Sequence, residues 1–251
     1  TVQSTVIPTI IGPDPSCTGY TAVYSTETGM SGYVWTVSSG GTLIGSANTN
    51  AVTVRWNSTG SQYVTVRYSD PGGCSTTTPT QKNVQVYAAP SPTITGTTSI
   101  CPSSSGVIYF TEQGMTDYVW TITSGGIITA GQGSHFISVD WISSGTQTIT
   151  VNYKNGSGCN AASLTSKTIT VYPAPQPVIT GSSVACTGNT VYYSTETGMT
   201  NYIWSVSTGG TIVSGSGSNS ISVIWNTSGA KTVSVSYVNT FGCPTLIPSV
   251  K

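Results

Sequence analysis

Charge is what this sequence has least of. Only 6% of its 251 residues are Asp, Glu, Lys or Arg, seven of each sign, and the formal net charge is zero. A typical soluble domain carries about 25%. Nucleic-acid recognition needs a basic face, and none can be assembled here, so no nucleic-acid partner is expected. There is one histidine and no Cys-x-x-Cys, which leaves little from which to build a transition-metal centre. No apolar run approaches the roughly 20 residues of a membrane-spanning helix, and no membrane span is expected. No useful length of chain has helical periodicity. No nucleophile stands with a base, and no two carboxylates form a distinctive pair, so the chain does not read as an enzyme. With charge scarce, the surface must be Ser, Thr, Gly and Asn. Near-zero net charge favours association, which suits a surface that lies against other copies of the same chain.

What is abundant is self-similarity. Tyr33-Val34-Trp35-Thr36-Val37-Ser38-Ser39-Gly40-Gly41 returns as Tyr118-Val119-Trp120-Thr121-Ile122-Thr123-Ser124-Gly125-Gly126. It returns again as Tyr202-Ile203-Trp204-Ser205-Val206-Ser207-Thr208-Gly209-Gly210, with the tryptophans 85 and then 84 residues apart. This is one domain written three times. The expected units are 8–89, 90–174 and 175–251. Residues 1–7 form the tail of a preceding unit or an inter-unit strand, since Thr1-Val2-Gln3 stand in register with Gln85-Val86-Tyr87. Lys251 is in register with Lys82 and Lys167, just before the closing strand, so the third unit is expected to lack its last strand. The chain thus reads as a window on a longer array. The alternative is donor-strand exchange, in which residues 1–5 of one molecule complete the third unit of another.

Within a unit the pattern is all strand. Apolar residues alternate with polar ones in Ala51-Val52-Thr53-Val54-Arg55-Trp56, in Tyr63-Val64-Thr65-Val66-Arg67-Tyr68 and in Val84-Gln85-Val86-Tyr87. Gly and Pro punctuate these runs. In unit one, strands are expected near 8–12, 20–26, 33–38, 42–45, 51–56, 63–69 and 82–88. About seven short strands in about 84 residues describe an immunoglobulin-like β-sandwich. Trp35, Trp120 and Trp204 would be its core tryptophans.

The set Pro8 to Gly12, Cys17, Tyr24 to Glu27, Tyr33 to Gly41, Val54 to Gly60 and Val66 to Cys74 resembles the PKD-like repeats of Bacteroidetes. The resemblance covers essentially the whole chain. It implies a β-sandwich module of large secreted or surface-exposed proteins, often adhesins exported by the type IX system, and hence an extracellular location. The acidic-Gly turn usual after the tryptophan in PKD domains is here Ser-Gly-Gly, so no ligand-binding residue is carried over.

Six cysteines fall two per unit: Cys17 and Cys74, Cys101 and Cys159, Cys186 and Cys243. An even set locked to the repeat reads as disulfides in an oxidising setting. Their connectivity has two solutions. One pairs the two cysteines of each unit. The other follows from topology: Cys17 precedes the second strand near the chain exit, and Cys74 lies in the last loop at the opposite end. A strand of about six residues holds those ends roughly 20 Å apart, beyond the roughly 7 Å that a disulfide allows between Cα atoms. This predicts inter-unit bridges, Cys17–Cys159 and Cys101–Cys243. Cys74 and Cys186 would then bond to neighbouring repeats.

Two charged positions recur in all three units. Glu27, Glu112 and Glu196 precede the core tryptophan by eight residues, and Lys82, Lys167 and Lys251 follow the last-loop cysteine by eight. The structural expectation is an ion pair in each unit: Glu27–Lys82, Glu112–Lys167 and Glu196–Lys251. The other is calcium at the junction, against which the repeated neighbours are Thr and Gly, not further acidic oxygens; no cofactor is otherwise expected. Met30, Met115 and Met199 follow in the same turn, either as a soft junction contact or folded beneath the loop.

The function expected is that of a structural repeat segment of a long extracellular fibre or adhesin stalk, self-associating laterally into a filament. The alternative is a module array binding cell-surface glycans or another surface polymer. Its candidate aromatics, Tyr20, Tyr63, Phe136 and Phe241, do not recur together.

Overall fold

The computed structural model describes residues 6–251. Residues 1–5, which hold the expected donor strand and most of the strand tail expected over 1–7, lie outside the described residues. Unit one contains β1 (Ser16–Cys17), β2 (Thr21–Ser25), β3 (Ser31–Val37), β4 (Gly41–Ile44), β5 (Ala51–Trp56), β6 (Gly60–Ser69) and β7 (Thr80–Tyr87). Unit two repeats them as β8 (Ser99–Ile100), β9 (Ser104–Phe110), β10 (Thr116–Ile122), β11 (Gly126–Ala130), β12 (Phe136–Trp141), β13 (Gly145–Lys154) and β14 (Thr165–Val171). Unit three follows with β15 (Thr180–Gly181), β16 (Thr190–Ser194), β17 (Thr200–Val206), β18 (Gly210–Ser214), β19 (Ser220–Trp225), β20 (Val233–Val238) and β21 (Ser249–Val250). There is no helix among the described residues.

Each unit is two sheets face to face. In unit one β1-β7-β6-β3 packs against β2-β5-β4, and in unit two β8-β14-β13-β10 packs against β9-β12-β11. Unit three pairs β15-β16-β19-β18 with β17-β20-β21. The alternation read in the sequence faces inward as a strand's two-residue period requires: Val52, Val54 and Trp56 of β5, Val64, Val66 and Tyr68 of β6, and Val84 and Val86 of β7 are buried. One expectation fails in detail. The first strand is not continuous over 8–12, where Ile11 makes only a single bridge to Ser25. The chain then crosses to the other sheet, and Ser16–Cys17 run parallel to Val86–Tyr87. Pro13 and Pro15 have no amide to donate to a ladder, which explains why the segment changes sheets there.

Trp35, Trp120 and Trp204 lie on β3, β10 and β17 and are buried. Each indole N–H donates to a carbonyl fourteen residues on, Thr49, Ser134 and Ser218, at 2.8–2.9 Å. The Gly-Gly pair that follows has a packing cause. A Cβ on Gly41 would stand 2.6 Å from Val37 and 2.8 Å from the Trp56 ring; on Gly126 and Gly210 it would meet Trp141 at 2.8 Å and Trp225 at 2.4 Å. Only glycine lets the backbone lie flat against the second tryptophan of each unit.

Candidate functional site

The features that set this chain apart lie at its two junctions. At the first, Cys17 of β1 is bonded to Cys159, the Cα atoms 5.8 Å apart; at the second, Cys101 is bonded to Cys243 with 5.3 Å between Cα atoms. The strand pairing explains this geometry. Cys17 sits beside Tyr87, where β7 leaves the unit. Cys74 sits beyond the other end of β6, its amide held by the Asp70 carboxylate at 2.8 Å. β7 has eight residues, which at about 3.3 Å each span roughly 26 Å. No disulfide crosses that distance, whereas the last loop of the next unit abuts Cys17 directly. Cys186 is exposed and has no sulfur partner among the described residues.

Around each bridge the units also make hydrogen bonds. At the first junction the Tyr20 hydroxyl donates to the Ala161 carbonyl at 2.8 Å. Asn155 works in two directions: its side-chain oxygen accepts the amides of Ser157 and Cys159, closing its own loop, while its NH2 donates to the Ala88 carbonyl of the preceding linker at 2.8 Å. Asn239 repeats this at the second junction, accepting from Phe241 and Cys243 and donating to the Pro173 carbonyl at 3.1 Å. The second junction adds Tyr172 stacked on Phe241, with ring centroids 4.4 Å apart and planes 9° from parallel. Gly19 lies so close to unit two that a Cβ there would meet Ala162 at 2.9 Å. Cys159, Ala161 and Cys243 are buried. Sequence reasoning missed Asn155 and Asn239; the signal was their shared place four residues before each bridged cysteine.

The repeated glutamates do not pair with the repeated lysines. Among the described residues the one ion pair is Lys154–Asp117, at 2.7 Å, so the expected pairs Glu27–Lys82, Glu112–Lys167 and Glu196–Lys251 do not form. Lys82 lies opposite Val64 on the β6–β7 ladder. The glutamate is held at Tyr68, four residues further along β6, roughly 13 Å away at strand rise. Its oxygens are taken by neutral donors instead. Glu27 accepts the Thr9 amide at 3.1 Å, the Thr9 hydroxyl at 2.5 Å, the Thr26 hydroxyl at 2.6 Å and the Tyr68 hydroxyl at 2.9 Å. Glu112 repeats the cradle with Thr93, Thr111 and Tyr153, and Glu196 with the Val178 amide, Thr195 and Tyr237.

Burial works to raise the pKa of these carboxyls. The hydroxyls of Thr26 and Thr9 and the backbone amides outweigh it for Glu27 and hold it at about 2, and the same groups around Glu112 hold that carboxyl at about 2. Glu196 is lowered as well. Burial and the neighbouring carboxylate push Tyr68 and Tyr237 up to about 12. The tyrosine of the repeated motif closes the same turn: Tyr33 donates to the Glu27 carbonyl at 2.8 Å and accepts the Met30 amide at 3.1 Å. Met30, Met115 and Met199 are half-buried there. With its oxygens occupied, each glutamate is a latch tying the first segment of a unit to the end of β6, β13 or β20. No group of three or more His, Cys, Asp or Glu able to hold a metal exists among the described residues.

The aromatics considered for glycan stacking are dispersed. Tyr20 and Phe241 are engaged at different junctions. Tyr63 is exposed on β6. Phe136 packs on Phe110 at 6.4 Å in unit two.

This architecture defines a class, a tandem array of immunoglobulin-like β-sandwiches joined across their junctions. Residues 3–84, 87–168 and 172–249 each match the PKD-like domain, and the chain belongs to that family. No curated protein matches it. Solved structures similar to it include the Escherichia coli adhesin FdeC, at 13% identity and TM-score 0.34 over 97% of this chain and 95% of that one. The fibronectin(III)-like modules of Clostridium thermocellum CbhA share 12% identity at TM-score 0.35, over 66% and 95% of the two chains. The Bacteroides ovatus protein SGBP-B, solved with a mixed-linkage heptasaccharide, shares 13% identity at TM-score 0.25 over 98% and 69%. Scores this low bear on neither activity nor partners.

Proposed function

We propose that this chain is a mechanical spacer: a stiffened segment of an extracellular stalk or fibre that carries a functional part away from a cell surface, and not an enzyme. The observation that supports this is the pair of bridges joining successive units. A linker such as Ala88-Ala89-Pro90-Ser91-Pro92 leaves two sandwiches free to swing within the limits that its prolines set. A second, covalent connection beside the linker restricts that freedom. Contacts between neighbours only make the array quasi-one-dimensional, so stiffness at each junction sets the stiffness of the whole. Disulfides also suit an oxidising compartment. Small-angle scattering before and after reduction tests the reading. The oxidised chain should give the distance distribution of a rod, and the reduced chain a broader one with a shorter mean. Identical curves would overturn it.

The same reading includes lateral association into a filament. Its support is the near absence of charge together with apolar side chains on the outer face of one sheet in every unit: Val23 and Ile44, Ile108 and Ile127, Tyr192 and Val213 are all exposed. Sedimentation velocity over a hundredfold concentration range should show bundling. A single monomeric species throughout would rule out this lateral step.

A further inference from the structure

The geometry points to Asn155 as a site of self-modification: the amide nitrogen of Gly156 attacks its side-chain carbonyl, ammonia is lost, and the hydrogen bond from this side chain to unit one is lost with it. Asn155 is the only asparagine of the chain followed by glycine. Every other asparagine precedes a residue with a Cβ, which crowds the next amide nitrogen. The loop supplies the remaining parts. The Asn155 side-chain oxygen accepts two backbone amides, Ser157 at 3.0 Å and Cys159 at 3.1 Å. Two N–H groups aimed at one carbonyl oxygen polarise it and stabilise the oxyanion that forms when a nucleophile adds to its carbon. The amides of Ser157, Gly158 and Cys159 all donate to Asn155, whereas that of Gly156 donates to no group among the described residues. It is the nitrogen next in the chain, already held close to the carbon it attacks. Gly156 is exposed, and a Cβ built on it would meet nothing within 4 Å, so solvent reaches its N–H.

In the first step the Gly156 N–H gives its proton to solvent, and the nitrogen bonds to the side-chain carbonyl carbon of Asn155. The bond from that carbon to the NH2 breaks, and the NH2 takes a proton from solvent and leaves as ammonia. A succinimide ring remains. Water then opens it at either carbonyl, giving aspartate or isoaspartate, the latter with the main chain running through the former side-chain carbon. The sum is hydrolysis of an amide, with water as the only co-reactant.

The consequence falls on the first junction. The group expelled is the NH2 that donates to the Ala88 carbonyl at 2.8 Å, and a charged oxygen takes its place opposite that carbonyl. The loop itself accommodates an acid. Unit one has Asp70 at this position, and its carboxylate accepts the Cys74 amide at 2.8 Å. The backbone bonds closing that turn, Asp70 to Cys74 and Gly73 to Asp70 at 3.0 Å, recur as Asn155 to Cys159 and Gly158 to Asn155 at 2.9 Å. Unit three supplies the contrast. Asn239 holds its oxygen against the amides of Phe241 and Cys243 at 3.0 and 2.9 Å and its NH2 against the Pro173 carbonyl. There the attacking nitrogen would belong to Thr240, whose branched side chain is stiff and crowds it. The first junction therefore loosens with age and the second does not. The chemistry does not depend on the stalk reading.

The test is to incubate the intact oxidised chain in mildly alkaline buffer and follow its peptides by mass spectrometry, with fragmentation that separates isoaspartate from aspartate. Conversion at Asn155 should run at least tenfold faster than at Asn239, with isoaspartate among the products. Gly156→Thr, which copies the residue found at Thr240, should slow it at least tenfold. After reduction, spin labels on units one and two should give a broader distance distribution in the aged parent than in the aged Gly156→Thr chain. Equal rates at Asn155 and Asn239, aspartate without isoaspartate, or undiminished conversion in the Gly156→Thr chain would overturn the proposal. Matching distance distributions in converted and unconverted chains would overturn the loosening of the junction.

Discussion

The glutamate of each unit shows how one residue position carries a whole turn. Its carboxylate accepts from threonine, a backbone amide and a buried tyrosine at once. Removing the charge leaves several donors facing an amide. Glu112→Gln should therefore destabilise unit two by about 2 kcal/mol, the scale of lost charge-assisted hydrogen bonds, measured by chemical denaturation. The pH dependence has a definite sign. Glu27 and Glu112 titrate at about 2 in the folded chain and near ~4.3 when unfolded. Their contribution is fully present above about pH 4.3 and is lost as pH falls through 2. Tyr68 and Tyr237, raised to about 12, act at the other limit. Their share is intact below about pH 10, the unfolded value, and is lost as pH rises through 12. Denaturation midpoints should thus be flat from about pH 5 to 9 and fall on both sides. A Glu112→Gln, Glu27→Gln, Glu196→Gln chain should lose most of the acid limb. The sequence showed that Glu27, Glu112 and Glu196 mattered, because they recur. It did not show their partners: Tyr68 lies 41 positions away, and a repeated lysine was the more obvious candidate by charge alone.

At the scale of the element, period-2 alternation made β5, β6 and β7 readable residue by residue, because each strand has one face in the core and one in solvent. The first strand was not readable. Its course depends on Pro13 and Pro15 denying it a ladder, after which Ser16 and Cys17 join the opposite sheet. The Gly-Gly pair was visible as punctuation, but its cause, contact with the second tryptophan, needs the packed sandwich. Gly126→Ala should cost about 1–3 kcal/mol, the range for overpacking a rigid core, and shift the melting of unit two. The loops around Asn155 and Asn239 carried no expectation beyond their cysteines. Asn155→Asp keeps the oxygen that closes the loop and loses the NH2 that reaches Ala88. It should leave unit stability unchanged. In the reduced protein it should broaden the spin-label distance distribution between units one and two beyond that of the parent.

At the scale of the molecule, the repeat and the cysteine register together made the array legible before any coordinates. Three copies fixed the unit, and the length of one strand argued against a bridge between its ends, leaving the inter-unit pairing as the favoured of two. Beyond the repeated asparagine, the contacts that finish each junction could not be read, since they pair residues unlike from one junction to the next: Tyr20 with Ala161 at the first, Tyr172 with Phe241 at the second. The bridges each span 142 residues of sequence, yet what they constrain is local, the angle between neighbouring sandwiches. Reduction should therefore leave the separate units folded, with the far-ultraviolet signal retained, while the chain as a whole loses its stiffness. The central claim is that covalent links run between units and not within them. Peptide mass spectrometry of the non-reduced protein tests it most directly. The account predicts linked peptides containing Cys17 with Cys159 and Cys101 with Cys243. Peptides joining Cys17 to Cys74, or Cys101 to Cys159, would contradict it and would make the chain a string of separately stapled beads.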